Sequence, residues 1–147
     1  MLCFATQGDR PTGGRIGIYR HSYALNSADG QALRQVWATD ALAQLNNPVG
    51  GVLRGEDIAL YDAIFAGARP RVTFGDVIEY AGDAHVVFAG RETGSYCDGD
   101  REVPLSIRTT RYFRYQYGNW RQYHHHGSID AGLRREQCKR CLHCRAD

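Results

Sequence analysis

The sequence predicts an α+β domain, with helices first and an antiparallel sheet after them. Three observations predict it. Apolar residues up to about position 67 recur at helical spacing, and after Pro70 the spacing changes to two. The longest β-rich run, residues 109–128, is interrupted by Gly118-Asn119, a hairpin turn signal. A chain of 147 residues can bury one core without disulfides or metal. If the sheet curves around helices packed on one face, it forms a half-open cone with a cavity.

Taken in order, residues 1–14 contain Gly8, Pro11, Gly13 and Gly14 with little periodicity and read as a flexible arm. Ile16, Tyr19 and Tyr23 start a first helix. Asp29, an N-cap residue type, opens a second, with Ala32, Leu33, Val36 and Trp37 on one face. Residues 41–45 and 52–53 are short strand candidates, separated by the breakers Asn46-Asn47-Pro48 and Gly50-Gly51. A third helix begins at Gly55-Glu56-Asp57, whose acids complement the helix dipole. Ile58, Tyr61, Ile64 and Phe65 form its stripe, and Gly67 is its stop. Strands are expected at about 71–80, 84–96, 103–117 and 119–129, joined by Ala81-Gly82-Asp83, Asp98-Gly99-Asp100 and Gly118-Asn119. The folded domain is therefore residues 15–130, followed by a Cys-rich flexible tail, 131–147.

Composition narrows the classes of function. With 43% hydrophobic and 23% charged residues the chain has a soluble globular balance. A net charge of +2 argues against a broad basic face, so no nucleic-acid partner is expected. Of 18 basic residues only Lys139 is a lysine, a bias read as base composition of the genome rather than phosphate binding. No run of about 18 apolar residues exists, so no membrane partner is expected. The N-terminus lacks a signal-peptide pattern. Cys3, Cys97, Cys138, Cys141 and Cys144 are odd in number and gathered mostly in the tail, which suits a reducing cytoplasm better than a disulfide framework.

The histidine triplet is the most conspicuous chemical feature. On a strand His124 and His126 share one face, with Trp120 and Ser128, and His125 takes the other. His-x-His can supply part of a zinc site, but nothing is spaced to give the third ligand, so no metal is expected. Cys138, Cys141 and Cys144 with His143 have ligand-like spacing, yet lack a fourth ligand and apolar support, and read as a reactive tail. Ser128 has no nucleophile elbow around it. Acid–base work would fall to His125, Tyr61, Asp57 or Asp76, of which Asp57 is more simply a helix-start acid and Tyr61 more simply core.

Several spaced motifs occur in one order: Asn26 to Trp37, Gly55-Glu56-Asp57, Thr110-Arg111, Gly118-Asn119-Trp120 and His124-His125-His126-Gly127-Ser128. From about Ile16 to Ser128 the chain resembles the nuclear transport factor 2-like superfamily, nearest its SnoaL-like group and the calcium/calmodulin-dependent protein kinase II association domain. The resemblance implies a cystatin-like cone, N-terminal helices on a curved antiparallel β-sheet, assembled at least as a homodimer. The superfamily hosts cyclases, isomerases, dehydratases, transport factors and oligomerisation modules, so fold alone does not name a reaction. Arginines inside the kinase association domain's cone bind small carboxylates, which implies pocket positions for Arg91 and Arg111. Gly127 stands where that domain has a further arginine and Ala59 where it has a histidine. No kinase domain is present on this chain, so a role in kinase assembly is not expected.

If Arg111 and position 127 face the cavity, parity places Tyr123 and His125 there and sends Trp120, His124 and His126 to the opposite face, where these folds dimerise. The expected function is a small-molecule-binding domain. Arg91 and Arg111 would anchor a small carboxylate or other small organic ligand, shaped by Tyr61, Tyr123 and His125, with no cofactor. Two alternatives stand beside it. One is a cofactor-free cyclase, isomerase or dehydratase with His125 as the candidate catalytic group. The other is a purely structural oligomer in which each arginine pairs with an acid such as Glu79, Glu92 or Asp57.

Overall fold

A computed structural model describes residues 24, 26–27, 29–48, 51–61 and 69–130. The first helix expected from Ile16, the stripe residues Ile64 and Phe65, the stop at Gly67, the arm and the Cys138/Cys141/Cys144 tail lie outside them. Helix α1 spans Gly30–Val36, and the Asp29 carboxylate caps it by accepting from the Ala32 amide at 2.9 Å. Its buried residues are Leu33 and Val36. The expected third helix opens at Gly55 as a 3₁₀ helix, Gly55–Tyr61. Gly55 has φ +52° and donates to the Ala43 carbonyl at 2.9 Å, so the chain turns tightly out of the preceding strand there.

Among the described residues six strands form one sheet: β1 Gln44–Asn47, β2 Gly51–Arg54, β3 Arg71–Ala81, β4 His85–Asp98, β5 Arg101–Gln116 and β6 Asn119–Ile129. Their spatial order is β2-β1-β6-β5-β4-β3. The four long strands form an antiparallel meander. The sheet is nevertheless mixed, because β1 runs parallel to β6, with Leu45 opposite His125. The expected antiparallel sheet is present as the four-strand meander, and β1 adds one parallel pairing to it. Period-two spacing marks a strand but carries no information on the direction of its neighbour.

The β5–β6 hairpin turns on Tyr117-Gly118, one residue earlier than Gly118-Asn119, with Gln116 opposite Asn119. Both turn residues have positive φ, +52° and +79°, which is the backbone of a type I′ turn. On β4, glycine is required at position 94, where a Cβ would run into the Arg71 carbonyl of β3. Two bulges interrupt the ladders, one on β3 between Gly75 and Ile78 and one on β6 opposite Tyr112/Phe113.

One sheet face carries most of the core. Val86 and Phe88 on β4, Ile107 and Phe113 on β5, and Leu45 on β1 are all buried. Val36 of α1 packs into the cluster of Val86, Phe88 and Phe113, which makes this the inner face. Among the described residues no helix is long and apolar enough to cross a membrane.

Candidate functional site

Residues opposite each other in an antiparallel pair point to the same side, so register assigns the inner face residue by residue. Phe88 faces Arg111, Gly90 faces Thr109, and Glu92 faces Ile107 across β4 and β5. Arg111 in turn faces His125 across β5 and β6. The inner face of three adjacent strands therefore holds Glu92, Thr109, Arg111 and His125, and all four are buried. Arg111 is completely buried, at 0% exposure.

Glu92, Thr109 and Arg111 form a connected polar group, with His125 across from Arg111. The Arg111 Nη2 donates to Glu92 Oε1 in a buried ion pair. Thr109 Oγ1 donates to Glu92 Oε2 at 3.1 Å, so both carboxylate oxygens are engaged. The Arg111 guanidinium also lies over the Phe74 ring from β3, 5.2 Å from its centroid. His125 has its pKa held well below the ordinary 6.5, first by burial and then by the positive charge of Arg111, with His124 and His126 adding to it. It is therefore a neutral imidazole at pH 7. Chemically this is one neutralised guanidinium, one hydroxyl and one uncharged imidazole on a platform of three hydrogen-bonded strands.

Arg91 does not join Arg111. It sits opposite Arg108 and one residue out of phase with Glu92, on the outer face. Its side chain is 48% exposed and ion-paired with Asp130 at 3.3 Å. The expected pair of convergent arginines is corrected on this point. Strand parity placed Arg91 and Glu92 on opposite faces, and the acid, not the arginine, is the one inside.

The β6 bulge corrects two further placements. Tyr112 is opposite His124, but Phe113 is opposite Gln122, so Tyr123 is an extra residue and the alternation changes phase there. Trp120, expected on the outer face with His124 and His126, is opposite Tyr115 and packs against the inner cluster of Val36, Val86, Phe88 and Phe113. Tyr123, expected beside His125, lies under the Arg114 guanidinium at 4.9 Å, and its hydroxyl bonds to Gln116 Oε1. Arg114 and Gln116 alternate with Arg111 and Phe113 along β5, so Tyr123 is turned away from Arg111.

His124 and His126 remain on the outer face, with Asn46 Nδ2 and His126 Nδ1 3.3 Å apart. His124 also has its pKa lowered, by partial burial first and then by His126. Tyr61 closes the 3₁₀ helix, and its side chain lies outside the described part of the structure. Asp57 is exposed in the first turn of that helix, and Asp76 is exposed in the β3 bulge with φ +52°. Gly127 faces inward, where a Cβ would lie 3.0 Å from Pro48 Cδ and 3.1 Å from Ile107 Cγ2. Those two residues occupy the space that a side chain at 127 would need. Among the described residues no group of three His, Cys, Asp or Glu side chains is placed to hold a metal ion.

Sequence reasoning missed Thr109, Phe74 and Gln122 as inner-face residues and weighed Glu92 only as an arginine partner. A usable signal existed for Glu92. It continues the register Val86, Phe88, Gly90, Glu92, an acid falling on the apolar side of its strand.

A family model for the SnoaL-like domain matches residues 19–132. A search of functionally curated proteins found no significant match. Among solved structures, a "putative dehydratase from the NTF2-like family" of Streptomyces avermitilis superposes with a TM-score of 0.73 at 19% identity, covering 81% of this chain and 94% of that one. A "putative calcium/calmodulin-dependent protein kinase type II association domain" from Thiobacillus denitrificans gives 0.68 at 24% identity, covering 79% and 94%. A protein with a cystatin-like fold from Caulobacter vibrioides gives 0.73 at 17%, covering 88% and 96%. At these identities the likeness establishes an NTF2-like, cystatin-like fold.

Proposed function

The chain belongs to the SnoaL-like domain family, and from that starting point we propose that it binds a small organic molecule against the inner face of its sheet, at Arg111, Glu92, Thr109 and His125. The observation that carries the reading is the complete burial of Arg111 together with its acid, Glu92. Replacing a buried ion pair by apolar residues of similar volume is often neutral or stabilising, so the fold does not depend on the pair. A purely structural module also expects Arg111 to pair with an acid, and ligand binding separates the two. Because Glu92 neutralises Arg111, the site favours a ligand oxygen acceptor, a carboxylate or a carbonyl, through directed donors rather than through net positive charge. Arg91 is no part of it.

Calorimetry and thermal-shift screening with small carboxylates and carbonyl compounds test this reading. Wild type should be stabilised by at least one compound class, and the double substitution Arg111→Met/Glu92→Leu should abolish the effect while leaving the protein folded. Equal stabilisation of wild type and the double variant would refute it.

A second reading, a cofactor-free proton-transfer enzyme, is favoured by a buried, neutral His125 directly across from Arg111. An uncharged imidazole at pH 7 keeps a nitrogen lone pair that can accept a proton from a bound substrate. The description of the Streptomyces neighbour as a "putative dehydratase" fits such chemistry. Turnover lost in His125→Gln, with ligand binding kept, distinguishes catalysis from binding.

The outer face supports a homodimer in both readings. Ile78 and Tyr80 are each 58% exposed there, beside Val87 and Ala89. Sizing in solution tests it: Ile78→Lys/Tyr80→Lys should convert a dimer to a monomer, and a monomeric wild type would refute it.

A further inference from the structure

Gln122 is completely buried, yet neither its carboxamide nitrogen nor its carboxamide oxygen has a hydrogen-bond partner. Its backbone is tied on both sides, opposite Phe113 on β5 and, through its carbonyl, to the Ala38 amide at 2.9 Å. Its described neighbours on the sheet are Phe113 opposite it on β5, Trp37 bridged to it on the other side, and Trp120 two residues away on the same face. A leucine or methionine would fill the position without stranding a donor and an acceptor. The orientation also depends on a specific device. Continued alternation back from His124 would point residue 122 outward, and the bulge at Tyr123 turns it inward.

We propose that Gln122 is a ligand-recognition residue, the second polar anchor of the inner-face site, and that it selects ligands with an amide-type edge. The proposal rests on the ligand-binding reading of Arg111 and His125. A carboxamide offers one donor and one acceptor side by side, and its matched partner is another carboxamide, a lactam or a carboxylic acid, which satisfies both. Gln122 lies one inner-face step from the Arg111–His125 pair, since Phe113 follows Arg111 by two residues. That step is about 7 Å along a strand. Phe88 opposite Arg111 and Phe113 opposite Gln122, in edge-to-face contact, give the interval an aromatic surface. The ligand class is therefore a small molecule with an oxygen acceptor at one end, an apolar ring-sized body, and an amide-type edge at the other.

The test compares 4-carbamoylbenzoate with 4-methylbenzoate, which share the carboxylate and ring and differ in the amide. Wild type should prefer the carbamoyl compound by about tenfold or more, the size of a site built to hydrogen-bond a polar group. Gln122→Met should erase that preference and, by removing the stranded amide, raise Tm by at least about 2 °C. Arg111→Met/Glu92→Leu should weaken both compounds together. Equal binding of the two compounds to wild type, or a preference that survives Gln122→Met, overturns the role of Gln122 and leaves the site itself standing. A fall in Tm for Gln122→Met also overturns it, because the amide would then be supporting the fold. Binding of neither compound overturns both readings.

Discussion

Replacing Arg111 by methionine leaves the Glu92 carboxylate buried at 3% exposure with only the Thr109 hydroxyl as a donor. Breaking a buried pair in this way costs about 3–5 kcal/mol, most of it the penalty of an uncompensated charge. For a chain of this size each kcal/mol moves Tm by about 2–4 °C, so the single variant should melt at least about 6 °C lower. Adding Glu92→Leu removes the stranded charge. Thr109 is not orphaned by this, since its hydroxyl has a second acceptor in the Ile107 carbonyl at 3.5 Å. Phe74, which now faces the guanidinium, would pack against methionine instead. The double variant should therefore recover to within about 1 kcal/mol of wild type, or exceed it. Urea denaturation of wild type, both single variants and the double variant closes the cycle and yields the coupling directly. A loss under about 1 kcal/mol for Arg111→Met, or a double variant no more stable than the singles, would refute the claim that the charges are mutually dependent inside the sheet.

Acid should weaken the fold through His125. Its folded pKa lies below the unfolded value, so below about pH 6.5 the unfolded chain takes up a proton that the folded one refuses. Stability is full above that pH and falls beneath it by up to about 1.4 kcal/mol per unit, until the folded pKa is reached. Urea midpoints at pH 7, 6 and 5 should drop for wild type and flatten in His125→Gln, with a smaller share left to His124; identical slopes would exclude His125. Gly94→Ala should cost about 1–3 kcal/mol, because the methyl meets the Arg71 backbone and neither strand can yield without losing register. Gly75→Ala, with open space and no positive φ, is the control and should stay within about 0.5 kcal/mol. Tyr117→Asn should stabilise by up to about 1 kcal/mol, since Tyr117 is 99% exposed, holds φ +52° and gives up no packing. A thermal melt without an upward shift would indicate that Tyr117 has a contact worth keeping.

The long strands were legible to within a few residues because their cues are local. Gly118, Gly99 and the Gly82 region mark the turns, and β-branched and aromatic residues fill the runs between them. Asp29 as an N-cap was legible for the same reason. Arg111 and His125 were placed together correctly by parity, as they lie on the same side of any bulge. Arg91 was placed by resemblance against the evidence of its own strand, where Phe88 and Glu92 already fixed the opposite phase. The parallel β1–β6 pairing depends on contacts between residues about eighty apart, which no window of sequence contains.

The β6 bulge is the most consequential of these features and the least visible. Face assignment along a strand is cumulative, so one inserted residue reverses everything beyond it. Nothing in Gln122-Tyr123-His124 announces the insertion, since none of the three is a glycine. Its effect is to divide the hairpin into two functional halves. Toward the turn, Trp120 and Gln122 face inward against Val36 and Phe113; beyond it, His125 faces inward against Arg111. Without the bulge, either Gln122 or His125 could face the core, but not both, because they are three residues apart and an odd separation puts two residues on opposite faces. The bulge is thus what allows one strand to present an amide and an imidazole to the same space, next to an arginine held by an acid on the two neighbouring strands. Deleting Tyr123 would bring Gln122 and His125 to two residues apart, so a regular strand would then keep both on the inner face.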